Sequence, residues 1–544
     1  MHIFLYGPPG CGKSTLGQIL ARRLDRPLVD LDQTIEANAR QTVRDIFSAE
    51  GETGFRIREQ KALREAAADA APCVISLGGG ALLNPDNRAI AEATGRVIFL
   101  DADAQMLEHR CARRPGMRPL LDTGDCPCPP QAGQPKPIAQ LLAERAEHYA
   151  SFTMRVSVSD APPESVADIL QAAIGLYRVS GMGTPYDIHV GTGLLAQIGS
   201  LVTAHAPTQK TLIVGDTNTI PLYGSRVADA LREKGIVADC FAIPAGEATK
   251  TTTTLNAIWS AFAQAGIERK DAVIALGGGV VGDLTGFAAA TWMRGVRWVN
   301  VPTTLLAMID AGIGGKTGAD LPAGKNLIGA FHAPSLVIAD TSVLSTLPTA
   351  EIRCGLAEAI KHAIIGDPSL TDLLPLFACC ATTPGDTLCP ATQDAQQLAT
   401  FVARAVAVKV RTVRQDPYEQ NIRAALNLGH TVGHALEKLT GFAMSHGTAV
   451  AIGTVAEARL AETAGLTEGG FANTISTLFA SVGLPTAFPH GISLAQLREA
   501  MRLDKKTADG KMRFALPAGF GDVRINQVVD DTILQTLETE RQTP

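Results

Sequence analysis

The stretch Asn427-Leu-Gly-His-Thr-Val-Gly-His-Ala-Leu-Glu437 gathers residues that bind metals and move protons. His430 and His434 stand four residues apart, which on a helix puts both rings on one face, one turn apart. His446 follows after a short break containing Gly441. Upstream, Glu358 lies in Glu351-Ile-Arg-Cys-Gly-Leu-Ala-Glu-Ala-Ile-Lys-His362, whose apolar positions predict a helix. One carboxylate and three imidazoles suffice for a three-ligand zinc site with one histidine to spare. Catalytic zinc has three protein ligands and an open position. A histidine pair at this spacing is also common on an Ala/Leu-rich helix face, so the metal reading needs support from the rest of the chain.

A second chemistry is written at the other end. His2 to Tyr6 reads as a short apolar strand, and Gly7-Pro-Pro-Gly-Cys-Gly-Lys13-Ser14 fits G-x-x-x-x-G-K-[ST] at every fixed position. Leu16, Ile19, Leu20 and Leu24 then recur at helical spacing. In this context backbone N–H groups of Gly10, Cys11, Gly12 and Thr15 face nucleotide phosphates. Lys13 reaches the β and γ phosphates, and the Ser14 hydroxyl takes Mg²⁺.

The elements that must position these residues fall into an α/β pattern. The chain has 544 residues, enough for three or more domains. We read residues 1–172 as a P-loop domain, a parallel sheet with helices on both faces. Residues 173–184 read as a linker, because Arg178-Val-Ser-Gly-Met-Gly-Thr-Pro185 is rich in small residues and turn formers. From 185 to 345 short apolar runs alternate with helical patterns, as in a mostly parallel sheet. There Gly277-Gly-Gly-Val-Val-Gly-Asp283 follows a strand and opens a helix, a setting in which a pyrophosphate approaches the backbone. From 346 to 544 the pattern is mainly helical, with an irregular insertion expected over 377–390. The net charge of −6 gives no sign of a nucleic-acid partner, and no apolar run is long enough to span a membrane. The N-terminus lacks the basic region of a signal peptide. Ten scattered cysteines fit a reduced cytoplasm better than a disulfide scaffold.

Residues 1–172 resemble shikimate kinases. The resemblance rests on the phosphate loop, Leu31-Asp32, Phe55-Arg56 with Glu59, Gly78-Gly79-Gly80, Met117-Arg118-Pro-Leu-Leu121 and Glu144-Arg145-Ala146. It implies that Asp32 binds the acceptor hydroxyls, that Arg56 and Arg145 clamp the acceptor carboxylate beside Gly78, Gly79 and Gly80, and that Arg118 belongs to a lid over ATP. A forked guanidinium suits a carboxylate better than an ammonium does. Asp30 either caps a turn or supports Mg²⁺. The Pro/Gly-rich loop 122–137 is longer than the connection that family usually has after its lid.

Residues 178–544 resemble 3-dehydroquinate synthase. The motifs run in order from Pro244-Ala-Gly-Glu247 with Lys250, through Gly277–Asp283, Met293-Arg294-Gly295, Pro302-Thr-Thr304, Ile309–Thr317 and Gly324–Phe331, to Ala357–Lys361, Asn427–His434, Ser445-His446-Gly447 and Asp504-Lys505-Lys506. The resemblance implies zinc (or cobalt) on Glu358, His430 and His446, with His434 as an additional catalytic polar group. It implies NAD at Asp216, Glu247, Lys250, Gly278, Gly279, Asp283, Thr303, Thr304, Lys316 and Lys325. It implies a substrate pocket of Asp310, Lys316, Asn326, Lys361, Lys409, Arg423, Asn427 and Lys506, with Lys316 and Lys361 taking part in catalysis and Arg294 reaching the pocket of a partner in a homodimer. Thr448 stands where that family usually has Glu.

The implied reactions are ATP-dependent phosphorylation of shikimate and cyclisation of 3-deoxy-D-arabino-heptulosonate 7-phosphate to 3-dehydroquinate with loss of phosphate. Zinc lowers the pKa of a bound water from about 15.7 to about 7, which is ~12 kcal/mol of differential stabilisation. One general base contributes a typical 10²–10⁴-fold, so the larger effect is assigned to the metal. Two rivals stand beside this reading. One is a zinc-dependent polyol dehydrogenase or another sugar-phosphate cyclase. The other makes the N-terminal unit a nucleotide-sensing or dimerising module.

Overall fold

The computed structural model describes residues 1–112, 137–158, 160–388, 394–502, 512–529 and 534–535. The chain divides into two compact units, Met1–Ile174 and Gly175–Pro544.

The first unit is built on five parallel strands, β1 (His2–Tyr6), β2 (Leu28–Asp30), β3 (Val74–Ser76), β4 (Gly95–Ala102) and β5 (Arg155–Val158), in the order β2-β3-β1-β4-β5. All five residues of β1 are buried, as expected for a central strand covered on both faces. It leads into α1 (Lys13–Leu24), which buries Leu16, Ile19, Leu20 and Leu24. Gly10 and Gly12 take φ of 89° and 94°, backbone that only glycine adopts without strain, and this lets the loop wrap over the start of α1. Two more helices complete the positioning frame, α2 (Leu31–Ala39) and α3 (Val43–Ala67). The core beneath them centres on Phe4, Tyr6, Phe55, Phe99 and Tyr149.

The second unit holds a seven-stranded sheet. Its strands are β6 (Leu176–Val179), β7 (Tyr186–Gly191), β8 (Lys210–Asp216), β9 (Val237–Ile243), β10 (Ala272–Gly277), β11 (Arg297–Pro302) and β14 (Leu336–Asp340), in the order β6-β7-β14-β11-β10-β8-β9. Only the β6–β7 pair is antiparallel. β12 (Lys316–Leu321) and β13 (Gly324–Phe331) form a separate hairpin. Helix α4 (Ile198–His205) follows β7, and α5 (Gly279–Thr291) follows β10. Beyond the sheet, α6 (Thr349–Ile365), α7 (His430–Leu439) and α8 (His446–Thr463) pack together, and β15 (Arg513–Gly519) pairs with β16 (Asp522–Val528) in a region expected to be mainly helical.

Two expectations are corrected. The range 173–184 is not all linker: Gly175 turns the chain at φ 64°, and β6 then joins the sheet with Leu176, Tyr177 and Val179 buried. The turn-forming residues that suggested a linker occupy only the short connection to β7. The first part of the stretch 377–390 is also ordered. Residues 377–381 end a 3₁₀ run, Pro368–Ala381, in which Phe377 and Cys380 are buried and Phe377 packs on Phe401 with ring centroids 4.8 Å apart. Residues 389–390 of that stretch and the loop 122–136, including Cys126 and Cys128, lie outside the described residues.

The α7–α8 contact is closed by glycines. A Cβ on Gly453 would stand 2.0 Å from the Gly429 carbonyl oxygen, and one on Gly433 would stand 3.1 Å from that of Ala449. The two helices that carry His430 and His446 therefore touch backbone to backbone. Gly453→Ala must push them apart and should cost about 1–3 kcal/mol, as overpacking a tight core does. Thermal unfolding measures this, and an unchanged melting temperature would show that the helices separate freely.

Candidate active sites

In the first unit a cleft of about 720 Å³ is lined by Gly10, Cys11, Gly12, Lys13, Ser14, Thr15, Asp32, Arg56, Gly78, Gly79, Gly80 and Arg145. The kinase residues anticipated from sequence therefore come together, apart from Arg118, which lies outside the described residues. The Lys13 ammonium donates to the carbonyls of Gly7 at 2.8 Å and Pro8 at 3.0 Å, folding the lysine back over its own loop. Ser14 Oγ donates to Asp30 Oδ2 at 2.6 Å, and Asp30 Oδ1 accepts from the Gln33 amide, so Asp30 caps α2 and also holds the Ser14 hydroxyl. Burial, then the neighbouring Asp30 charge, raises the pKa of Asp32.

Arg56 is held by two carboxylates: Nη1 donates to Glu59 at 2.6 Å and Nη2 to Glu52 at 3.0 Å. Glu59 is 1% exposed, and burial raises its pKa against the pull of Arg56. The three glycines after β3 are there for space. A Cβ on Gly78 would meet Glu59 Oε1 at 2.4 Å, and one on Gly80 would meet Arg56 Nη2 at 2.5 Å. The Gly79 carbonyl accepts from Arg145 at 2.8 Å and from the Tyr149 hydroxyl at 3.0 Å. Both guanidinium groups of the expected carboxylate clamp are thus fixed against one loop.

In the second unit Glu358, on α6, is fully buried. His430 opens α7 and His446 opens α8, so two helix starts deliver the imidazoles to one carboxylate. Glu358 Oε1 is 3.6 Å from His430 Nε2 and 3.3 Å from His446 Nε2. The Lys361 ammonium, one turn along α6, pairs with Oε2. Burial alone would raise the Glu358 carboxyl, but Lys361 holds it well below the usual range. His446 Nδ1 is 3.5 Å from Glu437, and the two carboxylates overcome burial to raise this imidazole to about 10. Burial, then the Lys361 charge, pushes His430 well down. The His434 ring lies 5.2 Å from that of His430, centroid to centroid, outside the cluster that Glu358, His430 and His446 form. Behind the cluster, the buried Glu457 carboxylate on α8 accepts the Gly429 amide at 2.6 Å and the Val432 amide at 3.3 Å, capping α7. Cys354 Sγ on α6 accepts the Gly447 amide at 3.1 Å, tying in the start of α8.

Next to Glu358 lies a cation-rich cluster. Asp310 is 2.7 Å from Lys409 and 3.7 Å from His362, and Lys361 adds its charge. Arg423 is 1% exposed and reaches the carbonyls of Pro417 and Gly314. Gly314 has φ 97°, and a Cβ there would meet the guanidinium at 2.4 Å. Burial lowers the pKa of Lys409 to about 8, with Arg423 and Lys361 adding to the effect and Asp310 opposing it. Lys316 pairs with Glu419, which also accepts from Asn427 Nδ2 at 2.8 Å.

Of the residues expected to hold NAD, Asp216 ends β8, Glu247 and Lys250 follow β9, Gly278, Gly279 and Asp283 follow β10, Thr303 and Thr304 follow β11, and Lys316 and Lys325 lie on the β12–β13 hairpin. Gly278 caps α5 without a side-chain hydrogen bond, leaving the helix start open to an anion. Gly278, Gly279, Asp283 and Lys316 line one cavity of about 10 Å³. Lys250 donates to Asp283 and to Asn326, each at 2.6 Å, and Lys325 is 3.3 Å from Glu247. Thr303 donates its amide to Gly277, Thr304 Oγ1 accepts from Ala307, and Asp216 caps the turn after β8.

Arg294 stands apart, on an exposed turn that enters β11 with φ 66°, at the strand end opposite Thr303. Lys506 lies outside the described residues. Thr448 donates its amide to Ser445 Oγ, within the cap of α8. Glu419, Glu437, Glu457 and His362 are not among the residues expected from sequence. Of these, Glu437 alone has a local signal, since it lies seven residues after His430, two turns along the same helix face.

Fold and sites define a phosphate-loop kinase followed by a metal-site α/β synthase in one chain. The shikimate kinase family model matches residues 9–174, and the N-terminal and C-terminal models of 3-dehydroquinate synthase match 240–354 and 355–507. The 3-dehydroquinate synthase of Symbiobacterium thermophilum is 44% identical over 359 residues, covering 65% of this chain and 98% of that protein. That of a Synechococcus strain is 45% identical over 358 residues, covering 65% and 95%. Among solved structures, a 2-epi-5-epi-valiolone synthase from Streptomyces hygroscopicus with NAD⁺ and Zn²⁺ bound aligns with a TM-score of 0.59 at 30% identity, over 67% of this chain and 99% of that one. The chain belongs to the 3-dehydroquinate synthase family and carries a shikimate kinase unit ahead of it, a bifunctional enzyme of the shikimate pathway with kinase and lyase activities.

Proposed function

We propose that the cleft of the first unit phosphorylates shikimate from ATP, and that the Glu358 centre with its cation pocket cyclises the heptulosonate phosphate to 3-dehydroquinate. The observation that carries the second part is the meeting of Glu358, His430 and His446 beside Asp310, Lys361, Lys409 and Arg423. Three buried cations, Lys361, Lys409 and Arg423, against two carboxylates, Glu358 and Asp310, leave an excess of positive charge, which suits a substrate bearing both phosphate and carboxylate.

The donor set, one carboxylate and two imidazoles, fits a zinc-class cation, and the open glycine start of α5 fits a pyrophosphate. When bound, the cation polarises a substrate oxygen, NAD takes and returns a hydride, and Mg²⁺ accompanies ATP. Glu437 orients His446, and Leu428 O, 3.1 Å from His430 Nδ1, orients His430, so that both Nε2 atoms face Glu358. Lys361, Lys409 and Arg423 bind the substrate anions, while Asp310 keeps the two ammonium groups in place. His434 moves protons at the substrate oxygen. Lys250 and Asp283 hold the nucleotide loop in register with Asn326. In the kinase unit Lys13 and the loop amides bind the transferred phosphate, Asp32 orients the acceptor hydroxyl, and Arg56 and Arg145 clamp the acceptor carboxylate. Arg294 serves the pocket of a second copy in a cytoplasmic homodimer, which accounts for its distance from the pocket of its own chain. Among the described residues no helix is long and apolar enough to cross a membrane.

The assignments separate in two assays on the intact chain, shikimate-dependent ADP formation and phosphate release from the heptulosonate phosphate. Lys13→Ala abolishes the first and leaves the second nearly intact, since distant sites act independently. His434→Ala keeps the metal content of the parent but loses about 10²–10⁴-fold in synthase turnover. His446→Ala loses one equivalent of metal. Parallel loss of both activities in folded Lys13→Ala, or metal loss in His434→Ala, contradicts the assignment.

A pH dependence follows from Lys409. Below pH 8 it is charged and adds to anion binding. Above that value it is neutral in the free enzyme. The synthase KM for its phosphorylated substrate therefore rises above pH 8, approaching ~tenfold per unit where one proton is required. Lys409→Met should have a high KM without this inflection. Retention of the inflection in the variant would place its origin elsewhere.

A further inference from the structure

The second unit contains another group of one carboxylate and two imidazoles, which neither reaction uses. Asp187 and His189 are two residues apart on β7, so they share one sheet face. Helix α4 ends at His205, which joins them. Asp187 and His189 are buried, and His205 is partly exposed. The potential ligand atoms of the three residues all lie within 4.8 Å of one another, the same span that Glu358, His430 and His446 satisfy.

The parallel with the Glu358 centre extends to its surroundings. There, one carboxylate oxygen is held by the Lys361 ammonium and the other faces the imidazoles. Here, Arg178, the register partner of Asp187 on β6, donates to Oδ1 at 2.8 Å, and Oδ2 faces His205 Nδ1 at 3.9 Å. The His189 and His205 rings stand 5.5 Å apart at 74°, against 5.3 Å and 62° for His430 and His446. A simple ion pair would need only Arg178 and Asp187. Two imidazoles gathered around the same carboxylate make a ligand set for a zinc-class metal, not for Mg²⁺ or Ca²⁺, which take oxygen ligands.

We propose that Asp187, His189 and His205 form a second divalent-metal site of the zinc class. It would tie the end of α4 to β7, and with three protein ligands its fourth position falls to water on the exposed side of His205. Asp187 and His189 face α4 on one side of the sheet. Tyr186, on the alternate face of β7, accepts the Gly314 amide at 3.0 Å, and the Gly314 carbonyl accepts from Arg423. The sheet therefore separates the site from the Arg423 cluster, and its loss leaves synthase activity unchanged in protein whose Glu358 centre is loaded.

The test counts metal in the intact chain after chelator dialysis. Zn²⁺ is titrated against a chromogenic competing chelator, and Co²⁺ binding is followed by its visible absorption. The parent chain should bind two equivalents, His205→Ala one, His446→Ala one and the double variant none. Zinc should raise the melting temperature of His446→Ala but not of the double variant. Because His205 is partly exposed at a helix end, its replacement should leave the fold intact. His205→Gln gives the same count if the alanine variant fails to fold. A parent chain that binds a single equivalent, retained by His205→Ala and lost by His446→Ala, overturns the proposal while leaving the Glu358 assignment standing. Two equivalents retained in His205→Ala also overturn it.

Discussion

A charged carboxylate with no exposure to water must be compensated where it sits, and Glu358 imposes that constraint on the second unit. Lys361 supplies the compensation from the same helix, and two imidazoles face the remaining oxygen. Those imidazoles are delivered by helix starts, so α7 and α8 must meet α6 at close range. Gly429, Gly433, Gly447 and Gly453 make that approach possible, since a Cβ at any of them would strike or crowd neighbouring backbone or Thr454 Oγ1. Glu457 and Cys354 then fix the two helix starts through backbone amides. The same charge balance continues beyond it, where Asp310 is shared by Lys361 and Lys409.

The kinase unit solves a related problem with a different frame. Glu59 is the buried carboxylate, Arg56 its cation, and the glycine loop after β3 the surface pressed against both. In each unit a buried acid holds a cation at the site before any ligand arrives. The cost of ordering a flexible arginine or lysine is thereby met during folding, which preorganises the site for an anionic substrate.

Local signals were legible in the sequence. The phosphate loop, the strand before it and the apolar face of α1 all announced themselves through spacing. So did the metal helix, because His430 and His434 are spaced by one of its turns. Residues whose roles arise from tertiary packing left no such trace. Glu457 caps a helix from 28 positions away, Glu419 meets Lys316 across 103, and His362 reads only as the polar end of an apolar helix. Leu176–Val179 reads as linker because the turn formers beside it dominate the composition, although Leu176, Tyr177 and Val179 are buried where the strand joins the sheet. The Asp187, His189 and His205 group has no spacing signature, because it joins a strand to a helix end sixteen residues further on.

The central claim is that Glu358, His430 and His446 together hold the catalytic metal, with His434 outside its ligand set. Anomalous diffraction at the zinc edge, from crystals of the intact chain loaded with zinc, tests this directly. The account predicts an anomalous peak bounded by Glu358, His430 and His446, with the His434 nitrogens beyond bonding distance. A peak bonded to His434, or none among these three residues in fully loaded protein, would contradict it.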